Sequence, residues 1–390
     1  MRFFLFILTQ IIPWYLFPGA APKDTSKVSS KPAQTAETVE QQPMVSTTPS
    51  FPETYEVQTF VSDIPETINV TFALPLNGAS TGDMDFYCGA LMAARELGEE
   101  GTRINVKAVD YSSEFISAQM IGESDVFIGP IDYNGMSGVL NCCPEGKVLV
   151  SPLDPRCREF VKDRHIVQVP VCQEEQLRDL ARWAAEGARR GNRLVVILES
   201  PTDTSNVIVN ELDSIGVPFE STVGYMSAES VCSSSGRTIF ITASDKEYFV
   251  SGAVRSVSVL ALQHHDVSLY CTSKVRSYEN LNVELLHSAN VHFTTNYQVD
   301  YNDKAVKDFV RTYRAFFRSE PNSYAFHGYD TMKYFTGICS VFGRNWFLKL
   351  AEYPGNGLQT GFRFIETENG MENVSVKRIT YNSDYSITVQ

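Results

Sequence analysis

From Thr67 onward, short apolar runs alternate with longer amphipathic stretches, and that alternation decides the fold class. Ile68, Val70, Phe72 and Leu74 alternate as a strand should. After the turn Asn77-Gly78, the stretch Gly82–Gly98 sets Phe86, Ala90, Ala93 and Leu97 at helical spacing. Further strands are predicted at Ile104–Asp110, Val126–Gly129 and Val148–Val150, with helices at Ser113–Gly122 and Asn134–Cys142 between them. Strand, helix and strand repeated at this spacing give a doubly wound, mostly parallel sheet.

The pattern then starts again. Gln173–Arg190, Ser205–Ile215 and Glu247–Leu262 read as helices between the strands Leu194–Leu198, Thr238–Thr242, Ser268–Thr272 and Val291–Thr295. Two strong helices follow. Asp303–Arg318 lines Val306, Phe309, Val310, Tyr313 and Phe317 along one face, and Tyr324–Phe342 buries Phe326, Met332, Phe335 and Cys339. The end of the chain changes character: Gly361–Glu366, Val374–Tyr381 and Tyr385–Val389 look like antiparallel strands, the first two joined through Glu368-Asn369-Gly370. The expected fold class is therefore α/β, two doubly wound lobes with a C-terminal antiparallel β ribbon.

The beginning of the chain reads differently. Arg2, the apolar run Phe3–Ile12 and the small residues Gly19, Ala20 and Ala21 have the layout of a secretory signal peptide over residues 1–21. The apolar part is shorter than the roughly 20 residues that span a bilayer, and no later stretch is apolar for that length. Residues 22–64 carry Pro22, Pro32, Pro43, Pro49 and Pro52 among polar residues, too few apolar groups to offset ordering, so a flexible tether is expected. An exported, periplasmic or otherwise extracytoplasmic protein follows. Its 33 basic against 46 acidic residues repel phosphate backbones, which argues against nucleic acid as a partner. The cysteines Cys88, Cys142, Cys143, Cys157, Cys172, Cys232, Cys271 and Cys339 are irregularly spaced, so both buried free thiols and one or two bridges stay open.

No catalytic constellation is present. There is no G-x-S-x-G elbow, no phosphate-binding G-x-x-x-x-G-K-[ST], no dinucleotide fingerprint and no clustered His and Cys for zinc. No enzyme activity, cofactor or metal is expected. The glycine run Gly355–Gly361 reads as a turn, His264-His265 as a helix end, and His327 as a hydrogen-bonding partner within reach of Asp330. Asn69-Val70-Thr71 and Asn373-Val374-Ser375 match glycosylation acceptors but lie on predicted strands. In doubly wound sheets, ligands bind at the carboxyl ends of strands. That rule selects Asn77, Ser80, Asp132, Tyr133, Asn134, Ser151 and Asp154 in the first lobe, and Asp203, Thr204, Ser205 and Ser273 in the second.

Particular residues carry a family resemblance. Phe72-Ala73-Leu74-Pro75-Leu76-Asn77-Gly78 leads into Asp85-Phe86-Tyr87-Cys88-Gly89-Ala90; then come Asp125–Pro130, Val148–Leu153 and Tyr324-Ala325-Phe326-His327-Gly328-Tyr329-Asp330. In order and spacing these resemble the type I periplasmic-binding-protein superfamily, in its branched-chain amino-acid-binding branch, over roughly residues 67–390. The stretch Gly357–Phe362 and the terminal ribbon resemble an envelope subgroup whose relatives often carry LysM modules; no LysM repeat is visible here. The resemblance implies three hinge crossings, with lobe one at 67–175 plus 300–342 and lobe two at 176–299 plus 343–390. It implies a non-enzymatic solute-binding protein that closes over a small polar ligand, an amino acid or peptide-like molecule, for transport or sensing, with a membrane permease or envelope protein as partner. Where amino-acid binders of the family hold the ligand's charged ends, this chain has Ile131-Asp132-Tyr133-Asn134 and Leu153-Asp154-Pro155, and Thr202–Ser205 replaces a stacking tyrosine. A ligand-free envelope protein of the same fold, scaffolding or regulating cell-wall machinery, is the alternative.

Overall fold

The computed structural model describes residues 63–78 and 80–390; the expected signal peptide and all but the last two residues of the expected tether lie outside them. The first sheet takes its parallel strands from β1 (Ile68–Leu74), β2 (Ile104–Asp110), β3 (Val126–Ile128), β4 (Leu149–Ser151) and β5 (Ile166–Gln168). Five strands build the parallel part of the second: β6 (Arg193–Leu198), β7 (Glu220–Val223), β8 (Thr238–Ile241), β9 (Val267–Tyr270) and β10 (Val291–Thr295). A small hairpin, β11 (Gly355–Asn356) with β12 (Gly361–Phe362), stands apart from both. Two pairs of late strands complete the sheets: β13 (Phe364–Glu366) with β14 (Met371–Asn373), and β15 (Lys377–Tyr381) with β16 (Ile387–Val389). The strand orders are β13-β14-β5-β4-β3-β1-β2 and β16-β15-β10-β9-β8-β6-β7, seven strands each.

The helices are α1 (Thr81–Glu99), α2 (Ala118–Gly122) and α3 (Tyr133–Val139) in the first lobe, then α4 (Gln173–Arg189), α5 (Val207–Ser214), α6 (Ala228–Val231), α7 (Glu247–Leu262) and α8 (Val283–Ser288) in the second. The chain returns to lobe one for α9 (Lys304–Phe317) and α10 (Ser323–Phe342). A capping box starts α1: the Ser80 hydroxyl accepts the Asp83 N–H at 3.2 Å and the Asp83 carboxylate accepts the Ser80 N–H at 2.8 Å. Phe86, Ala90, Ala93 and Leu97 form its buried stripe, as the spacing predicts, and full burial of Phe86 alone contributes about 2 kcal/mol. Helices α1 and α10 meet through two glycines: a Cβ on Gly89 would sit 1.8 Å from the Ala325 carbonyl oxygen, and one on Gly328 would sit 1.8 Å from that of Phe86. Only backbone surfaces fit there, which gives both glycines of the shared motifs a physical reason.

The sheet topology corrects one expected boundary. Residues 343–390 do not all belong to lobe two, because β14 pairs in parallel with β5 and carries β13 with it onto the first sheet. Only from Lys377 does the chain join lobe two, where β15 pairs antiparallel with β10 and with β16. The turn at Glu368-Asn369-Gly370 does form a hairpin, but its second strand is Met371–Asn373 rather than Val374–Tyr381. The expected helix Ser113–Gly122 is confined to α2, because residues 110–114 are held as a loop by Ser112 and Ser113 hydroxyls on the Asp110 carboxylate. Asp63, expected in the tether, bridges to Gly343 and pairs with Arg344 at 2.9 Å. All eight cysteines are unbridged, with Cys157, Cys271 and Cys339 buried. No helix among the described residues is long and apolar enough to cross a membrane.

Candidate functional site

The chain passes between the sheets after β5, after β10 and after β14, and a seam of buried polar groups fastens these crossings together. Asp330, buried on α10, accepts the backbone N–H groups of Leu358, Gln359 and Thr360 at 2.6, 2.8 and 2.8 Å. Burial pushes its carboxyl up to about 6 against the pull of those three donors. A Cβ on Gly357 would lie 2.2 Å from the Asp330 carboxyl carbon, so the loop approaches this closely only as glycine. Asn373 is equally occupied: its amide donates to the carbonyls of Val169 and Gly361 at 3.0 and 2.8 Å, and its oxygen accepts Arg363 and Ser375 N–H groups at 3.0 Å. That buried, doubly donating amide leaves no nitrogen for a glycan.

His327 is the third fastener. Its Nε2 lies 2.6 Å from the Pro152 carbonyl, which only accepts, so Nε2 carries the proton; Nδ1, 3.0 Å from Thr360 Oγ1, then accepts from that hydroxyl. Desolvation of the ring lowers its pKa, against the pull of the Pro152 carbonyl. Its partners are therefore Pro152 and Thr360 rather than Asp330, because Asp330 faces the 357–360 loop instead. Above this seam lies a hollow of about 210 Å³, reached by the loop after β4 (Pro152, Leu153), the crossings at Val169 and Tyr297, and the start of α10 at Tyr324 and His327. Tyr297 and Tyr324 are 44% and 45% exposed, and offer unsatisfied aromatic surface to it. A larger hollow of about 760 Å³ runs along the C-terminal half of α1 and along α9, and reaches Gln298 after β10 and Lys377 at the start of β15. On its wall Arg95 pairs with Glu99 at 2.8 Å and Lys333 with Glu96, while Asp300, Asp303 and Lys377 have no ion-pair partner among the described residues.

The residues selected from the sequence divide into two groups. In lobe one, Asp132, Tyr133 and Asp154 come together, but their polar atoms are taken up locally. Asp132 caps α3, accepting Gly135 N–H at 2.9 Å and the Tyr111 hydroxyl. Asp154 caps the turn after β4, accepting Arg156 N–H at 2.9 Å, the Arg156 guanidinium at 2.7 Å and Tyr133 N–H at 3.0 Å. The Arg156 contact holds its carboxyl below the usual range. The Tyr133 ring stacks on Phe160 at 5.0 Å, lies under the Arg156 guanidinium and gives its hydroxyl to Glu159. Ser151 is buried with no hydrogen-bond partner for its hydroxyl among the described residues, Ser80 is the α1 cap, and Asn77 and Asn134 are exposed. In lobe two, Asp203, Thr204 and Ser205 form one loop after β6, with Thr204 and Ser205 exposed, while Ser273 opens onto a separate small pocket with Gln173, Thr272 and Thr294.

Sequence reasoning missed the exposed ion pairs of lobe two's rim, Lys246 with Glu199 and Lys274 with Asp245, the latter drawing the Asp245 carboxyl down. It also missed Tyr297 and Tyr324. The strand-end rule covers Tyr297, which follows β10 closely, whereas Tyr324 reaches the hollow only because α10 returns to the loop after β4, a contact that His327 makes with Pro152 across 175 residues of sequence.

No family model matches the sequence, and no curated protein matches it. Solved structures do align. A protein assigned to branched-chain amino acid ABC transport from Rhodospirillum rubrum is 14% identical, with a TM-score of 0.55 over 83% of this chain and 100% of that one. A branched chain amino acid ABC transporter periplasmic ligand-binding protein from Burkholderia xenovorans LB400 is 9% identical, with a TM-score of 0.52 over 83% of this chain and 94% of that one. What is shared is the fold alone, the two-lobed architecture of mostly parallel α/β sheets found in type I periplasmic binding proteins.

Proposed function

We propose that this chain is an extracytoplasmic, non-catalytic solute-binding protein that closes its lobes over a small polar ligand, an amino acid or peptide-like molecule, and hands it to a membrane permease or reports it to an envelope partner. The observation that carries this reading is the hollow of about 210 Å³ at the strand carboxyl ends, where elements of lobe one meet the crossings. Tyr297 and Tyr324 would meet the ligand's body. From lobe two, Lys246, Lys274 and Ser273, with Asp203, would meet its polar groups on closure. Asn77, Asn134 and Thr204 are exposed side chains free to add contacts. The two similar proteins described above are both described as concerned with branched-chain amino acid ABC transport, which supports the class of activity without naming this chain's solute.

A thermal-shift screen of the whole chain against amino acids, short peptides, sugars, nucleosides and muropeptides tests this. A ligand at 100 times its dissociation constant stabilises by about 2.7 kcal/mol, a shift of several degrees. The reading expects such a shift, reduced by Tyr324→Ala and Tyr297→Ala. The alternative, a ligand-free envelope scaffold of the same fold, draws on the internal saturation of Asp132, Tyr133 and Asp154 and on exposed rim residues Phe115, Met226 and Tyr248. A flat screen on folded protein would favour it.

A further inference from the structure

The two faces of the second sheet are built differently. Beneath α7 and α8 the strands β6, β8, β9, β10 and β15 all contribute apolar side chains, among them Val195, Phe240, Leu269, Phe293 and Ile379. Beneath α4 and α5 the face begins the same way, with Val196 on β6 and Ile239 on β8, and then turns polar. Pairing places Tyr270 beside His292, His292 beside Thr380 and Thr380 beside Thr388, one polar row across four strands. A pocket of about 420 Å³ opens over this row, walled by the end of α4 at Trp183 and Arg190. It lies at the amino ends of the parallel strands, at the far end of the sheet from the hinge hollow.

A sheet face under a helix is ordinarily apolar, and buried polar groups there ordinarily find partners. Ser268, Tyr270, Thr380 and His292 are only 2%, 6%, 7% and 9% exposed and all line the pocket. Among the described residues the Ser268, Tyr270 and Thr380 hydroxyls and His292 Nε2 form no hydrogen bond within the protein; these atoms are not sealed in but keep access to the solvent of the pocket. His292 Nδ1 lies 2.8 Å from the Asn290 carbonyl, which only accepts, so the proton sits on Nδ1 and Nε2 offers a lone pair. The ring is fixed by the Tyr270 ring stacked at 4.3 Å and by Trp183 edge-on at 4.9 Å. At the mouth, Arg237 is paired with Asp266, whereas Arg190 has no ion-pair partner among the described residues. The carboxylate on the wall, Glu186, is held by Arg378 at 2.8 Å.

We propose that this pocket is a second ligand site, separate from the hinge hollow, for a small polyhydroxylated anion of monosaccharide size such as a sugar acid. Its hydroxyls would donate to His292 Nε2 and exchange hydrogen bonds with Ser268, Tyr270 and Thr380, and its anionic group would meet Arg190. The lone pair on Nε2 excludes a bare, donor-free anion as the preferred ligand. The proposal stands whether or not the hinge hollow takes a solute.

Isothermal titration of the whole chain with D-glucuronate, D-gluconate and D-glucose 6-phosphate, with acetate as the donor-free control, tests it. At least one of the three is expected to bind more tightly than acetate, with affinity lowered about tenfold or more by His292→Phe, which keeps the ring stack and removes the lone pair, and by Arg190→Gln. Thr380→Val, nearly isosteric, provides an independent loss should His292→Phe fail to fold. Binding unchanged by these variants but lost in Tyr324→Ala would overturn the proposal, and so would the absence of binding by all three probes.

Discussion

The hinge seam and the rim of lobe two are both rich in polar side chains, yet they use them in opposite ways. In the seam, Asp330 and Asn373 are buried and His327 half-buried, and their atoms are spent chiefly on backbone groups from crossings distant in sequence. On the rim, Lys246 and Lys274 pair with Glu199 and Asp245 in solvent, on long side chains that release their partners cheaply. The difference separates what sets the geometry of closure from what remains free to greet a solute. Lobe one's own rim sides with the seam, since Asp132 and Asp154 are caps before they are anything else.

The largest test of the contrast is Asp330→Ala. Removing the acceptor of three buried N–H groups is expected to cost about 3–5 kcal/mol in urea unfolding; a loss under about 1 kcal/mol would break the picture of a seam. Asn373→Ala, which strands the Val169 carbonyl and two N–H groups, is expected to cost about 2–3 kcal/mol in the same assay. Asp154→Ala removes a cap and a charge-assisted contact, and about 1–2 kcal/mol is expected. Lys274→Ala on the rim should stay within about 0.5 kcal/mol while weakening any cleft ligand, a separation no seam variant should show.

The pH dependence sharpens the same comparison. A carboxyl raised to about 6 in the folded protein is protonated there while its unfolded counterpart, near 3.8, is not. Between those values the folded state binds more protons, so Asp330 makes stability fall as pH rises from about 4 to about 6, with no further change above. Lys377, whose charge acts on Asp330, moderates the effect. His292, lowered to about 4, acts in the opposite sense, with stability lost as pH falls below about 6.5. Asp330→Asn and His292→Phe measured against the parent from pH 4 to 7 should separate the two slopes.

Much of the scaffold was legible because its signals are local. The alternation in β1, the spacing in α1 and the stripe of α9 are each written within one window, and α7 matches its expected bounds. The return of β13 and β14 to lobe one was not, because three-residue strands carry little pattern and the partner, Gln168, lies some two hundred residues earlier. At the candidate site, the strand-end rule selects the loop after β4, which reaches the hollow through Pro152 and Leu153, but none of the residues it picked out lines that hollow. It could not tell that Asp132 and Asp154 are used up as caps, or that His327 turns toward Pro152 rather than Asp330, since both depend on which backbone groups the fold leaves unpaired.

Small-angle X-ray scattering of the whole chain, with and without the compound giving the largest thermal shift, tests the central claim most directly. Closure about a fastened seam predicts a smaller radius of gyration at saturating ligand, with Tyr324→Ala requiring more ligand for the same change. A radius unchanged at saturation would contradict a solute-binding protein that works by closing its lobes.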